Sequence, residues 1–179
     1  AVHAVETLGE VQEGQHVLVQ AGASGSGNAC VQVAKLLGAQ VAATVGSPEK
    51  IAMVEAAGAN LVINRAERNF ADAVLDWTDG VGVDVVIDNI GGGVFEDNLR
   101  ALKVAGIFVN FGLVGGMKAT LSIRDLFFRQ QQIRGSFMVS MHELKRGLAW
   151  RAEGKIRPFV DRTYPVRDVA EGHRYIDSR

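Results

Sequence analysis

Residues 16–39, HVLVQAGASGSGNACVQVAKLLGA, constrain the fold of this chain more than any other stretch. An apolar run over 16–21 enters a loop of small residues. Helical spacing then runs from about 27 to 37, and Gly38 stops it. Strand, glycine-rich turn and helix form the first half of a dinucleotide-binding βαβ unit. The first N–H groups of a helix have no partner inside it, and the helix dipole is positive there. A pyrophosphate takes those groups where no Cβ holds it away. Gly22, Ala23, Ser24, Gly25, Ser26 and Gly27 leave that approach open. The G-x-G-x-x-G spacing is met only in part. Gly22 and Gly27 hold the outer positions, Ser24 holds the middle one, and Gly25 stands one residue late.

The rest of the chain repeats the rhythm. Strands are expected at 40–45 (QVAATV), 60–64 (NLVIN), 83–88 (VDVVID), 106–111 (GIFVNF) and 132–140. Helices are expected at 48–57, 70–77, 94–102, 123–131 and 143–152, the first capped by Ser47 with Pro48 at its first position. The stretch 1–8 reads as the end of a helix. Residues 155–179 read as a strand, a turn through Pro165 and a short helix. Strands alternating with helices every 20–25 residues or so predict an α/β Rossmann fold. It is a doubly wound parallel sheet of about six strands in the order 3-2-1-4-5-6, with helices on both faces and ligand across the carboxyl ends of the strands. Residues 1–154 are expected to form the dinucleotide-binding domain.

Charge narrows the class. The formal net charge is −1, with no global basic field to draw nucleic acid. Residues 1–128 carry 8 Lys/Arg against 14 Asp/Glu, and residues 129–179 carry 11 against 6. The basic tail reads as solvated surface. No apolar run is long enough to span a membrane, and no signal peptide is evident. A single Cys30 forms no internal disulfide and reads as a small core residue. A cytoplasmic setting is expected. His3, His16, His142 and His173 are scattered without metal-ligand spacing, and no His or Asp is placed to activate Ser24 or Ser26.

The end of the second strand bears on the cofactor. A free 2′-hydroxyl usually meets an Asp or Glu there. This chain has Val45-Gly46-Ser47, with its first acid at Glu49. Ser47 offers a hydroxyl, Gly46 leaves room, Lys50 brings charge, and nothing is expected to repel a 2′-phosphate. Lys50 opposes the dipole of its own helix at a cost of about 0.3–1 kcal/mol. A charge-assisted hydrogen bond to phosphate returns about 1.5–3 kcal/mol. Arg65, after the third strand, is either the other wall of that pocket or an ordinary surface arginine. Asn89 and Ile90 after strand four, Phe111, Gly112 and Leu113 after strand five, and Met138 at the end of strand six are candidates for the nicotinamide half. Gly112 is expected to let the ring approach the backbone. Phe137 and Met138 read first as core or interface packing residues.

Seven ordered stretches then carry a resemblance: HVLVQAGASGSGNACVQVAKLLGA, TVGSPEK, AGANLVIN, GVDVVIDNIGG, GIFVNFG, LFFRQQQIRGSFMVS and GKIRPFVDRTYPVRDVAEGHRYIDS. Together they resemble the medium-chain dehydrogenase/reductase superfamily, above all its quinone oxidoreductase-like and zinc-binding alcohol dehydrogenase-like members. The resemblance implies a hydride-transferring oxidoreductase using NADP(H), acting on a small carbonyl, quinone, alcohol or enone. It implies pyrophosphate binding at Ser24, Gly25, Ser26 and Gly27, and 2′-phosphate binding at Ser47 and Lys50. It places Arg65 beside the adenosine and implies a homodimer paired through residues 132–140. Members of that family carry a further N-terminal catalytic domain, which supplies most substrate contacts and any zinc ligands, and nothing in this chain resembles it. On this resemblance residues 155–179 lead back towards that domain, and zinc dependence is left open. An enoyl reductase module of a synthase and a non-catalytic NADPH-sensing module are the alternative readings.

Overall fold

The computed structural model describes residues 1–178. A six-stranded sheet forms the centre, in the order β3-β2-β1-β4-β5-β6. Its strands are β1 (His16–Val19), β2 (Gln40–Val45), β3 (Leu61–Asn64), β4 (Val83–Asp88), β5 (Leu102–Asn110) and β6 (Gln132–Gly135). Every pairing is parallel. The helices are α1 (Gly25–Leu36), α2 (Ile51–Ala56), α3 (Phe70–Trp77), α4 (Phe95–Ala101), α5 (Ile123–Phe128), α6 (Met141–Ala152) and α7 (Val169–Asp177). A π-helical segment, His3–Leu8, precedes them.

Strand alternation divides the core in two. Val17 and Val19 of β1, Val41, Ala43 and Val45 of β2, Val85 and Ile87 of β4 and Val109 of β5 face one side. There they meet Cys30, Val31, Val33 and Ala34 of α1, Val54 of α2 and Val5 of the first segment. Leu18, Ala42, Val86 and Phe108 face the other side and meet Phe70, Ala71 and Val74 of α3 and Ala101 of α4. Burial of a side chain of this size stabilises by about 1.5–3 kcal/mol. Because both faces are covered, β4 reads as a nearly unbroken apolar run. Burial pushes the Cys30 thiol up to about 11, consistent with an inert packing residue.

Local rules account for most boundaries. Ser24 accepts from the Gly27 N–H, so α1 starts at Gly25, two residues earlier than its apolar spacing suggests. Asn69 caps α3 by accepting from Ala71 and Asp72. Ser140 and Glu143 form a capping box, so α6 starts at Met141. Other expectations are overturned. Strand six ends at Gly135; the Ser136 N–H still donates to the Asn110 carbonyl (2.8 Å), and residues 137–140 leave the ladder with Phe137 95% exposed. No strand follows Lys155 among the described residues. That stretch is held instead by Gln32 of α1, whose amide donates to the Arg157 carbonyl (3.0 Å) and accepts from the Arg157 N–H (2.8 Å). Strand five starts at Leu102, earlier than expected, and its pairing with β4 shifts register between Val83 and Val85.

Glu143 joins the two ends of the chain. One carboxylate oxygen lies 2.7 Å from His3 Nδ1 and accepts from the Thr7 hydroxyl at 2.5 Å, while the other accepts from the Ser140 N–H at 2.7 Å. The Ser140 side chain, then those of Thr7 and His3, and last the Ser140 N–H hold its carboxyl well below the usual carboxylate range. A depressed folded-state pKa stabilises above the unfolded value, about 4.3, and that contribution is lost as pH falls through the folded value. Glu143→Gln is therefore expected to lower the Tm at pH 7, with the gap to wild type narrowing in thermal melts taken progressively below about pH 4.3. A gap that stays constant down to pH 2 would contradict this role.

Candidate functional site

The carboxyl ends of β1, β2 and β4 converge on the glycine-rich loop. β1 delivers the chain to Gln20, whose amide donates to Asn98 Oδ1 (2.7 Å) and accepts from the Thr44 hydroxyl (2.7 Å). The Thr44 hydroxyl in turn accepts from the Ala21 N–H at 3.0 Å. This buried net holds Ala21 at φ 48°, a left-handed conformation that turns the chain under α1. Sequence reasoning missed it. Its only trace was a glutamine ending an apolar strand.

The loop's glycines have different reasons to be glycine. A Cβ at Gly27 would stand 2.1 Å from the Ala21 carbonyl oxygen, and one at Gly22 would stand 2.9 Å from Ala43 Cβ. Both are demanded by the protein's own packing. A Cβ at Gly25 would meet nothing within 4 Å. The space beside Gly25 is open, and the N–H groups of Gly25 and Ser26 begin the helix with no carbonyl four residues back inside it. Beside them Ser24 Oγ and Ser26 Oγ stand 3.5 Å apart. Asn89, just past β4, donates through Nδ2 to both, at 3.0 and 3.1 Å. The structure thus brings Ser24, Gly25, Ser26, Gly27 and Asn89 together. A cavity opens between the start of α1 and Ile156, Pro158 and Phe159.

The turn after β4 is fixed by Asp88, which is fully buried. It accepts from the N–H groups of Ile90 (2.7 Å) and Gly91 (3.0 Å) and from the Asn110 amide (3.1 Å). Burial pushes its carboxyl up, while those donors and the charge of Arg65 pull it down. Ile90 is 9% exposed and belongs to the core beside α3 and α4. Gly112 has a different reason from the one expected. A Cβ there would stand 2.2 Å from the Asn89 carbonyl oxygen, so its glycine serves the packing of the β5 turn on the β4 turn. Phe111 packs against the core from its edge. Leu113 and Met138 are 62% and 68% exposed.

At the end of β2 the expected pocket is altered. Gly46 is exposed, with open space where a Cβ would point. Ser47 makes no cap bond to its helix. Its hydroxyl donates instead to Glu49, and this bond holds the Glu49 carboxyl below its usual range. A negative charge therefore stands beside Ser47 where nothing repulsive was expected. Lys50 makes no ion pair with the described residues. Arg65, exposed overall, follows β3; packing pulls its guanidinium pKa down, and the Asp88 charge pulls it back up.

Two histidines are engaged structurally. His3 meets Glu143, and the His16 ring lies edge-on to Trp77 at 4.7 Å. Among the described residues no three His, Cys, Asp or Glu side chains come together as a metal site. No helix among them is long and apolar enough to cross a membrane.

Comparison with known proteins agrees with this geometry. The profile of the zinc-binding dehydrogenase family matches residues 25–153. A 2-haloacrylate reductase from Burkholderia sp is 30% identical over 95% of this chain and 54% of its own length. Quinone oxidoreductase-like protein 2 from Bos taurus is 30% identical over the whole chain and 54% of its own. The crystal structure of an NAD-dependent alcohol dehydrogenase superposes with a TM-score of 0.90 at 36% identity, covering 98% of this chain and 51% of that one. The chain spans about half the length of the relatives it matches.

The contrast between the loop's glycines is testable by thermal melting. Gly27→Ala is expected to cost at least about 1–3 kcal/mol, or several degrees of Tm. Gly25→Ala is expected to leave the Tm unchanged or slightly raised, as alanine favours a helix. Equal losses would mean that both positions answer to packing.

Proposed function

The chain belongs to the zinc-binding dehydrogenase family of the medium-chain dehydrogenase/reductase superfamily, and from that premise we propose that it is the NADP(H)-binding unit of an oxidoreductase. The observation that carries the dinucleotide reading is the start of α1. Two unpaired helix N–H groups, two hydroxyls and an unfilled space at Gly25 meet at the carboxyl end of a parallel sheet. That arrangement is suited to a pyrophosphate and requires no side-chain cation.

Preference for the 2′-phosphorylated form rests on the end of β2. No carboxylate sits on the strand end to receive a 2′-hydroxyl, Gly46 leaves room, and Lys50 has no ion-pair partner among the described residues. Glu49 opposes this preference, and a bound phosphate would have to draw the Ser47 hydroxyl away from it. Arg65 supplies a second positive charge near the same end of the sheet.

When bound, the nicotinamide supplies hydride transfer. The protein's part is placement. The α1 start holds the pyrophosphate, and Lys50 and Arg65 hold the adenosine end. Phe111, Leu113 and Met138 offer apolar surface to the nicotinamide half. The substrate is proposed to be a small carbonyl, quinone, alcohol or enone, bound with help from parts of a longer protein outside this chain. A homodimer through β6 is proposed on the grounds that β6 is an edge strand with its outer side unpaired. Ile133, Phe137 and Met138 also expose apolar surface beside it.

Calorimetric titration of the chain with NADPH and NADH tests the reading. Tighter binding of NADPH is expected. Lys50→Ala is expected to weaken NADPH by about 10-fold or more while changing NADH less than about twofold. Equal or tighter binding of NADH would overturn the phosphate assignment and leave the pyrophosphate site standing.

A further inference from the structure

We propose that Asn89 is a positioning residue that converts the hydroxyls of Ser24 and Ser26 into donors directed at an oxyanion, and that this makes the loop an anion receptor. The inference rests on the dinucleotide reading above and deepens it. Ser24 Oγ already accepts two hydrogen bonds, one from the Gly27 N–H (3.0 Å) and one from Asn89 Nδ2 (3.0 Å). A hydroxyl oxygen has two acceptor sites, so the capacity left to Ser24 is its own O–H, as donor. Ser26 Oγ accepts from the second proton of the same amide at 3.1 Å, which turns its O–H outward as well. The two hydroxyls, 3.5 Å apart, also share a long hydrogen bond with each other, a contact that an incoming acceptor replaces, and both lie beside the N–H groups at the start of α1. Their common partner must be an acceptor carrying several lone pairs, such as the non-bridging oxygens of a diphosphate.

The other end of the amide supports the assignment. Asn89 Oδ1 is buried without a hydrogen-bond partner, which ordinarily costs about 1–3 kcal/mol. An asparagine kept at such a cost is poorly explained by stability alone. Its position is fixed from below as well, since its carbonyl oxygen packs where a Cβ on Gly112 would be. The amide is thus a rigid bridge from β4 to the loop. Its Nδ2 protons occupy an acceptor site on each serine before any ligand arrives, so only the long Ser24–Ser26 hydrogen bond has to be exchanged on binding.

Replacement by aspartate separates this role from simple packing. Asn89→Asp keeps the shape but offers only acceptors, so both serine hydroxyls turn towards residue 89; because it also adds a negative charge, its loss is read against the same substitution in a Ser24→Ala/Ser26→Ala background, where the repulsion stays and the hydroxyl effect is gone. Asn89→Ala removes the bridge and leaves the hydroxyls free to turn either way. Kd values for NADPH and NADH are measured on the chain by calorimetry, with folding verified by circular dichroism. Asn89→Ala is expected to weaken whichever dinucleotide the wild type binds by about 10-fold, and Asn89→Asp by clearly more. In a Ser24→Ala/Ser26→Ala background the alanine effect is expected to shrink to within twofold. The proposal is overturned if Asn89→Asp binds as well as Asn89→Ala, or if the alanine loss persists without the serines. Wild-type binding of NADH alone refutes only the 2′-phosphate assignment, and the same variants are then read with NADH. Binding of neither dinucleotide overturns both proposals.

Discussion

The close approach of α1 to the turn beneath it organises this molecule. The space that a Cβ on Gly27 would need is already taken by the Ala21 carbonyl oxygen, 2.1 Å from where that carbon would stand. Only glycine lets the helix settle that near the end of β1. Once settled, its first turn lies over the carboxyl end of the central strand, and Ser24 is left to cap it. The left-handed Ala21 is the backbone cost of this geometry, and the Thr44 hydroxyl bonded to its N–H holds it in place. Fold and site share one constraint here: the contact that seats the helix also presents its N–H groups to the cleft.

Polar groups finish what packing begins. Asp88 has its carboxylate bound by two backbone N–H groups and an amide, and so shapes the β4 turn. Asn89 next to it projects towards the serines of the loop. Adjacent residues with similar side chains thus work in opposite directions, one folding its own turn and the other reaching across to a neighbouring strand's turn. Neither role depends on exposed ion pairs, which contribute little in water.

Much of this was legible in the sequence, and the failures share a cause. The strand β4 and the helix α3 fall where periodicity puts them, since burial on both faces of a parallel strand and an amphipathic helix leave strong local signals. Strand six was drawn too long because Phe137 and Met138 look like interior residues, yet both are exposed. Apolarity reports that a residue avoids water in some context, and it does not say which context. At Gly112 the packing reason for glycine is hidden, because a missing side chain looks the same whether a cofactor or the Asn89 carbonyl fills the space. The Gln20–Thr44–Asn98 net was invisible because its members lie 24 and 54 residues apart, with no common spacing.

The strand order has a consequence for how the chain is made. β1 lies in the middle of the sheet, yet it is the first of these six strands to leave the ribosome. β2 and β3 can join it in turn on one side. Its other edge, Val17–Val19, which pairs with Val85–Ile87 in the finished register, waits until β4 has been synthesised, with α1, β2, α2, β3 and α3 intervening. Throughout that interval an apolar strand with unpaired backbone groups is exposed on the nascent chain, as in any parallel sheet grown outwards from its centre. Vectorial synthesis therefore leaves the centre of the finished sheet open on the growing polypeptide, and the arrival of β4 both closes that edge and delivers Asn89 to the glycine loop.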